Sequence, residues 1–289
     1  MKSAVLKAIV KAVLYSDIFN YPLTRDELWK YLIVDDEKKI SRKEFEEEID
    51  QIASIEEAEG MYFCSHKTRL VGIRKKREKV SQGKFRIAQS VSRYLRFIPT
   101  IQFIGVSGGL AMSNADSKDD IDLFIICEKG TVWTTRLLTL VVLEVLGRRR
   151  KRNEKNVRDK ICANMIIDEK SLDCSVLGRD LFVAHEIVQM KPLLNRNNMF
   201  EKFLTMNKWV LGMLPNGMDT EMLRYQNTKK KKKKSLTIFE RFAKWLQLKS
   251  ITRHQTTEVI TDGILAFHPK DYRWSILKEY DKRVKRYEI

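Results

Sequence analysis

The sequence predicts an α+β protein in three parts: a small helical N-terminal region closed by a hairpin, a central mixed sheet with helices, and a helical C-terminal region. Three observations carry this. Apolar runs of strand length, from Ile101 to Val106, Leu123 to Cys127 and Ile161 to Ile167, lie in mid-chain, whereas the flanks carry apolar residues at helical spacing. Two capping signatures, Thr24 with Glu27 and Ser41 with Glu44, open helices near the start. A hydrophobic fraction of 43% over 289 residues suits one large or two to three small domains. The resulting divisions are 1–74 for the N-terminal domain, 75–99 for a linking helix, 100–175 for the sheet core and 176–289 for the helical C-terminal domain.

In chain order, residues 4–17 carry Val5, Ile9, Ala12 and Val13 on one side of a helix that Asn20-Tyr21-Pro22 ends. The first capping box opens a helix with Leu28, Tyr31 and Leu32 inward. The second opens one running to about Ser54, with Phe45, Ile49 and Ile52 inside. Glu59-Gly60, the run Met61 to Cys64 and the run Thr68 to Ile73 predict a two-stranded wing. Three short helices followed by a hairpin resemble a winged helix-turn-helix. Its third helix carries Glu44, Glu46, Glu47, Glu48 and Asp50, a poor face for a DNA groove, which favours packing or protein docking over duplex reading. Lys75 to Leu95 then reads as a basic amphipathic helix with Phe85, Ala88, Val91 and Leu95 as its buried stripe, and Pro99 ends the approach to the sheet.

The stretch GVSGGLAMSNADSKDDIDLFI, from Gly105 to Ile125, organises the rest. Asp120 and Asp122 stand two apart on a strand, so both carboxylates face one way while Ile121 and Leu123 face the core. Two like charges side by side are costly unless a cation or donor compensates them, and hard oxygen ligands suit magnesium. Gly108 and Gly109 leave backbone N–H groups free to approach a phosphate. This pattern, Gly108-Gly109, Ala111, then Asp120-Ile121-Asp122, resembles the signature of the nucleotidyltransferase superfamily to which DNA polymerase beta belongs. In that superfamily a Gly-Ser or Gly-Gly turn opens a helix and holds the triphosphate. An Asp-x-Asp on the next strand ligates two magnesium ions, and a third carboxylate usually sits on a later strand. The resemblance implies a nucleotidyltransferase core, with Ser107, Gly108 and Gly109 holding the nucleotide and Asp120 and Asp122 as catalytic metal ligands. It departs at Gly109, where Ser is most common, and at the third acid. On the run Ile161 to Ile167, Asn164 has the parity to face inward with Cys162, while Asp159 precedes and Asp168 follows; all three stay open as occupants of that position.

Thr131 to Leu146 reads as an apolar helix from which Arg136 reaches ligand or solvent, a candidate phosphate contact. Gly147 releases Arg148, Arg149, Arg150, Lys151 and Arg152, a run dense enough to demand solvent or an anion and a candidate clamp for a nucleic-acid backbone. Asp180 to Met190 forms a helix stopped by Pro192. His185 there reads as a satisfied core or cap histidine, since no second ligand falls four residues from the His185-Glu186 pair. Another helix spans Asn198 to Met213. Lys229, Lys230, Lys231, Lys232, Lys233 and Lys234 form a second nucleic-acid-binding candidate, and amphipathic stretches from Leu236 to Leu248 and from about Thr257 to Tyr287 complete the chain.

The formal charge of +17 favours polyanionic partners. Cys64, Cys127, Cys162 and Cys174 lack metal spacing and read as reduced core cysteines. Lys7 and Lys11 interrupt the N-terminal apolar run, and Leu137 to Leu146 is too short to span a bilayer, which together predict a cytoplasmic protein with no membrane partner. The resemblance implies a metal-dependent transfer of a nucleoside monophosphate from a nucleoside triphosphate to an acceptor hydroxyl. The charge favours an RNA or DNA end as acceptor; a small molecule or a protein stays open. The rival expectation is a catalytically degenerate protein that keeps the fold as a nucleic-acid-binding or regulatory module.

Overall fold

The computed structural model describes residues 3–35, 40–152, 154–219, 221–223, 237–251, 259–266 and 272–287. It has a mixed α+β architecture with two sheets. Helix α1 (Ala4–Ile18) is capped by the Ser3 hydroxyl, and Asn20 turns the chain with a positive φ of 51°. Strand β1 (Leu23–Thr24) leads into α2 (Arg25–Lys30), and α3 (Arg42–Glu48) follows; both helices begin with full capping boxes, Thr24 with Glu27 and Ser41 with Glu44. A short 3₁₀ turn carries the chain into β2 (Ile55–Ala58) and β3 (Met61–Cys64). These three strands form a small sheet in the order β1-β3-β2.

The hairpin is therefore shifted from the one expected. Met61 to Cys64 pairs with the segment before it, across a turn in which Glu59 and Gly60 both take positive φ, 55° and 75°. Thr68 to Ile73, expected as the second strand, belongs to the helix system instead: α4 (Arg69–Leu95) starts six residues before the expected Lys75. The run from Arg69 to Lys75 is in phase with the helical spacing of residues 76–95, so the helix claims it.

The larger sheet is built on β4 (Ile101–Val106), β5 (Ile121–Cys127) and β6 (Ile161–Asp168). A single helical turn, α5 (Gly108–Ala111), separates β4 from β5, which pair antiparallel. β5 and β6 pair parallel, which requires a crossover, and α6 (Val132–Val145) supplies it. α7 (Leu181–Gln189) is followed by β7 (Lys191–Asn195), α8 (Met199–Met206) and a 3₁₀ turn. After α9 (Thr237–Ile251) come β8 (Val259–Ile260), β9 (Ile264–Ala266) and α10 (Arg273–Arg286). The strand order is β7-β4-β5-β6-β9-β8. The sheet thus extends well past residue 175: β7 adds to β4, and β9 to β6, from the region expected to be helical. Pro192 does stop α7, yet the chain continues as a strand with Pro192 opposite Gly105. A Cβ on Gly105 would lie 2.8 Å from Phe103 and 2.9 Å from Met190, so this close approach needs glycine.

Alternation along β5 divides the core. Ile121, Leu123 and Ile125 pack with Ala88, Val91 and Leu95 of α4, with Trp133 of α6 and with Ala243 of α9. Phe124 and Ile126 face the other way, into a core shared by α1, α7, α8 and α10. The N-terminal helix is thus part of the main body. His185 of α7 stacks on Tyr15 of α1 at 4.0 Å, and Tyr15 meets Tyr280 of α10 edge-on at 5.6 Å. Asp17, at the end of α1 and only 6% exposed, receives Lys67 at 2.6 Å and the Arg283 guanidinium, which joins α1 to the start of α4 and to α10. No helix among the described residues is long and apolar enough to cross a membrane.

Removing the Asp17 carboxylate strands two cations beside a buried site. Both are partly exposed and can turn to water, so Asp17→Ala is expected to cost about 2–3 kcal/mol, below the full penalty for a sealed pair. Urea unfolding measures it; a loss under about 0.5 kcal/mol would rank the cluster with ordinary surface ion pairs.

Candidate functional site

β4 ends at the glycine turn and β5 begins at the aspartates, so antiparallel pairing brings the two together. The Ser107 N–H donates to the Asp122 carbonyl at 3.2 Å. Gly108 takes φ +64°, a conformation side chains resist, and a Cβ there would sit 3.5 Å from Asp122 Oδ2. The turn therefore lies against Asp122.

The loop before β5 is held from below. Lys84 of α4, 2% exposed, donates from Nζ to the carbonyls of Asp119 at 2.7 Å and Ser117 at 3.3 Å, and to Asp159 Oδ1 at 2.9 Å. A buried ammonium with three acceptors pins the strand entry and with it the direction of Asp120 and Asp122.

Both aspartates lie on the face of β5 shared with Phe124, with Ile121 and Leu123 fully buried behind them, the alternation expected from the sequence. Their neighbour on β6 is Cys162, which pairs with Asp122 across the parallel ladder. Asp120, Asp122 and Cys162 are the one group of potential metal-ligating side chains among the described residues whose ligand atoms all lie within 4.8 Å of one another. Arg150 Nη1 lies 2.5 Å from Asp120 Oδ2. Burial first, then the Asp120 charge, pushes the Asp122 carboxyl up to about 7, with Arg150 opposing. Burial and then the two aspartates hold the Cys162 thiol protonated well above its usual range.

Glu186 of α7 closes the site from above. Its carboxylate accepts the Gly108 N–H, and burial pushes it up to about 7. It lines a cavity of about 400 Å³ together with Ser107, Gly108, Asp122 and Asn164. Its neighbour His185 packs on Tyr15 of α1: buried, with Nδ1 2.8 Å from the Leu181 carbonyl, it is pushed down to about 4 and stays neutral.

None of the three candidates for the third position joins the aspartate pair. Asn164 is the residue left over by a shift of register, since Leu123 pairs with Ala163 and Phe124 with Met165; it lines the cavity but does not complete the aspartate group. Asp159, at a positive φ of 57°, is turned to Lys84. Asp168 stands at the far end of β6 opposite Cys127, where it accepts N–H groups from Gly130 and Lys170. Arg136 is elsewhere too, on α6 with its guanidinium 2.6 Å from Gln247, pushed down to about 10 by burial. Of the basic run, Arg149 and Lys151 pair with Glu144, Arg148 donates to the Asp159 carbonyl, and Arg150 joins Asp120. Lys229 to Lys234 lies outside the described residues.

The donor set fits a hard divalent cation on the two aspartates, whose oxygens are close and whose mutual repulsion a cation would relieve. The protonated thiol adds no charge, so the strands offer no third anionic ligand, and Glu186 on α7 is the next carboxylate available. Sequence reading missed Cys162 and Glu186 as partners. The available signal for Glu186 was its place four residues after Phe182 on an otherwise apolar helix, since both line the cavity. No family model, curated protein or solved structure matches the chain.

These carboxyls make stability depend on pH with a definite sign. Asp122 and Glu186 bind protons more tightly folded than unfolded, so raising pH towards and past 7 removes stability. His185 acts oppositely but only below its unfolded value near 6.5. From about pH 6.5 to 8 the metal-free melting temperature should therefore fall, and fall less in Glu186→Gln. An unchanged slope in that variant, read by scanning calorimetry, would mean that Glu186 is already ionised.

Proposed function

We propose that this chain is a divalent-metal-dependent nucleotidyltransferase. The supporting observation is that the glycine turn at Ser107 and Gly108 lies against Asp122, beside the Asp120–Asp122–Cys162 group. The reaction is attack of an acceptor hydroxyl oxygen on the α-phosphorus of a nucleoside triphosphate. A P–O bond forms, the bond to the leaving pyrophosphate breaks, and the hydroxyl proton passes to a base. Asp120 and Asp122 would hold a magnesium ion, which supplies positive charge to the phosphates when bound. Glu186 is the base. Its carboxyl is poised near neutrality and lines the cavity that opens on Asp122, matching the demand that a proton acceptor work near ambient pH. The turn would meet a phosphate oxygen at the Gly109 N–H, since the Ser107 N–H donates to the Asp122 carbonyl and that of Gly108 faces Glu186, and Gly108 leaves room there. The net charge of +17 supports attraction of a polyanion, whether nucleotide or nucleic acid.

A second reading has its own observation. Arg150 already neutralises Asp120, and a protonated thiol stands beside Asp122, an arrangement that serves a metal-free nucleotide-binding protein as well.

Incubation with magnesium and each labelled nucleoside triphosphate, with RNA, DNA, the protein itself and small alcohols as acceptors, separates the two. Transfer is expected in wild type and a loss of at least about a hundredfold in Asp120→Asn, Asp122→Asn and Glu186→Gln. Gly108→Val is expected to weaken triphosphate binding more than it lowers the melting temperature, because the valine occupies the phosphate's space. Triphosphate binding without transfer to any acceptor favours the second reading, and transfer that survives in the double aspartate variant removes the metal site.

A further inference from the structure

The cavity beside Asp122 and Glu186 is chemically lopsided. Ser107, Asp122 and Glu186 stand together around Gly108, and Asn164 also lines the cavity. Most of the remaining wall is aromatic and aliphatic, built from Phe124, Met165, Phe182, Ile187, Met190 and Phe203. Among the described residues the one cation in the lining is Arg273, 3.0 Å from Asp180 and paired with it. At about 400 Å³ the space falls within the range of small-ligand pockets.

We infer that this cavity is a binding site for a small, uncharged molecule with an apolar body and a terminal hydroxyl directed at Asp122 and Glu186. The inference rests on the transfer reading for the hydroxyl's role as acceptor, and on the cavity alone for the apolar body. A nucleic-acid end does not suit the space. Each flanking phosphate needs a cation or an N–H donor, whereas the charged group beyond the polar end, Arg273, is committed to Asp180. A highly hydroxylated sugar is disfavoured too, because its buried hydroxyls would go unpaired against Phe124, Phe203 and Ile187. An aromatic or alkyl body buries apolar surface there. The single hydroxyl finds carboxylate acceptors at the end where the phosphate turn also lies.

The cavity wall supplies the test. Val176, 67% exposed at the rim, can be enlarged without touching the core, and Met165 contributes a second position on the wall. The probe is 2-(2-naphthyl)ethanol, its binding followed by equilibrium dialysis, with magnesium ATP binding measured separately by calorimetry. Wild type should bind the naphthyl alcohol saturably. Val176→Trp and Met165→Trp should each weaken it about tenfold or more, with ATP affinity changed less than about twofold. Melting temperatures show whether Met165→Trp folds, and Val176→Trp carries the test if it does not. Absence of saturable binding, equal affinity in the Val176→Trp variant, or loss of ATP affinity in place of the alcohol's would each overturn the inference; the last would give the cavity to the nucleoside base. The transfer assay separates the two proposals. Alcohol binding blocked by the Trp variants, with no nucleotide transferred to any acceptor, upholds the cavity site and defeats the transfer reading. Nucleotide transfer to RNA or DNA by a protein that does not bind the naphthyl alcohol does the reverse.

Discussion

Two carboxylates on one face of one strand repel each other, and the surroundings of Asp120 and Asp122 are arranged as answers to that repulsion. Arg150 places a guanidinium on Asp120. Cys162 brings a protonated thiol, adding no further charge where an acidic neighbour would have added one. Burial lets Asp122 and Glu186 share the region because neither is obliged to be fully ionised near neutral pH. The direction of the pair is not left to the strand alone, because buried Lys84 ties the preceding loop and Asp159 to α4. An ammonium withdrawn from water is tolerated only when its donors are met, and here the acceptors are oxygens of the site's own framework.

The two faces of the large sheet carry different duties. Behind β5, α4, α6 and α9 bury Ile121, Leu123 and Ile125 in an apolar layer that backs the strand rigidly. In front, α1, α7, α8 and α10 cover Phe124 and Ile126 but leave the cavity open beside the aspartates. The N-terminal helix belongs to this front layer through Tyr15, Asp17 and its stacking on His185. That placement separates the members of the His185-Glu186 pair. The histidine is spent on holding α7 against α1, and this orients the glutamate towards the glycine turn.

How far the sequence alone reached depends on the range of the interactions involved. The capping boxes at Thr24 and Ser41 are local, three residues from donor to acceptor, and both were legible. So was the facing of Asp120 and Asp122, because strand periodicity fixes it against Ile121 and Leu123. The hairpin was misplaced by one strand because Ile55-Glu56-Glu57-Ala58 looks polar; it pairs at the surface, where β-propensity counts less than the turn at Glu59 and Gly60. β7 was hidden by Pro192, which ends a helix and yet sits within a strand. Cys162 required knowing the parallel register between β5 and β6, and Glu186 required knowing which face of α7 meets the turn. Neither fact is contained within any one segment. The shift at Asn164 shows the limit most clearly: parity along an ideal strand put Asn164 beside Cys162, but the ladder skips it.

Arg150 connects the charge balance of the site to the proposed reaction. Its guanidinium, held on Asp120 Oδ2, supplies part of the charge balance that a divalent cation would supply. A cation bound at the proposed site would take over part of that balance and loosen Arg150, whose guanidinium stays tethered on the segment after α6, close to the Asp120–Asp122 pair. An arginine freed beside a phosphate cradle is itself a phosphate ligand, with a planar fork suited to two oxygens. The exchange would keep the local charge from rising by the full two units of the cation only if a polyanion arrived as well. Metal and triphosphate would then favour each other's binding, since each removes a penalty the other creates. On this view the ion pair at Asp120 belongs to the metal-free site, and the same arginine would turn to phosphate oxygens if the proposed cation and triphosphate bind.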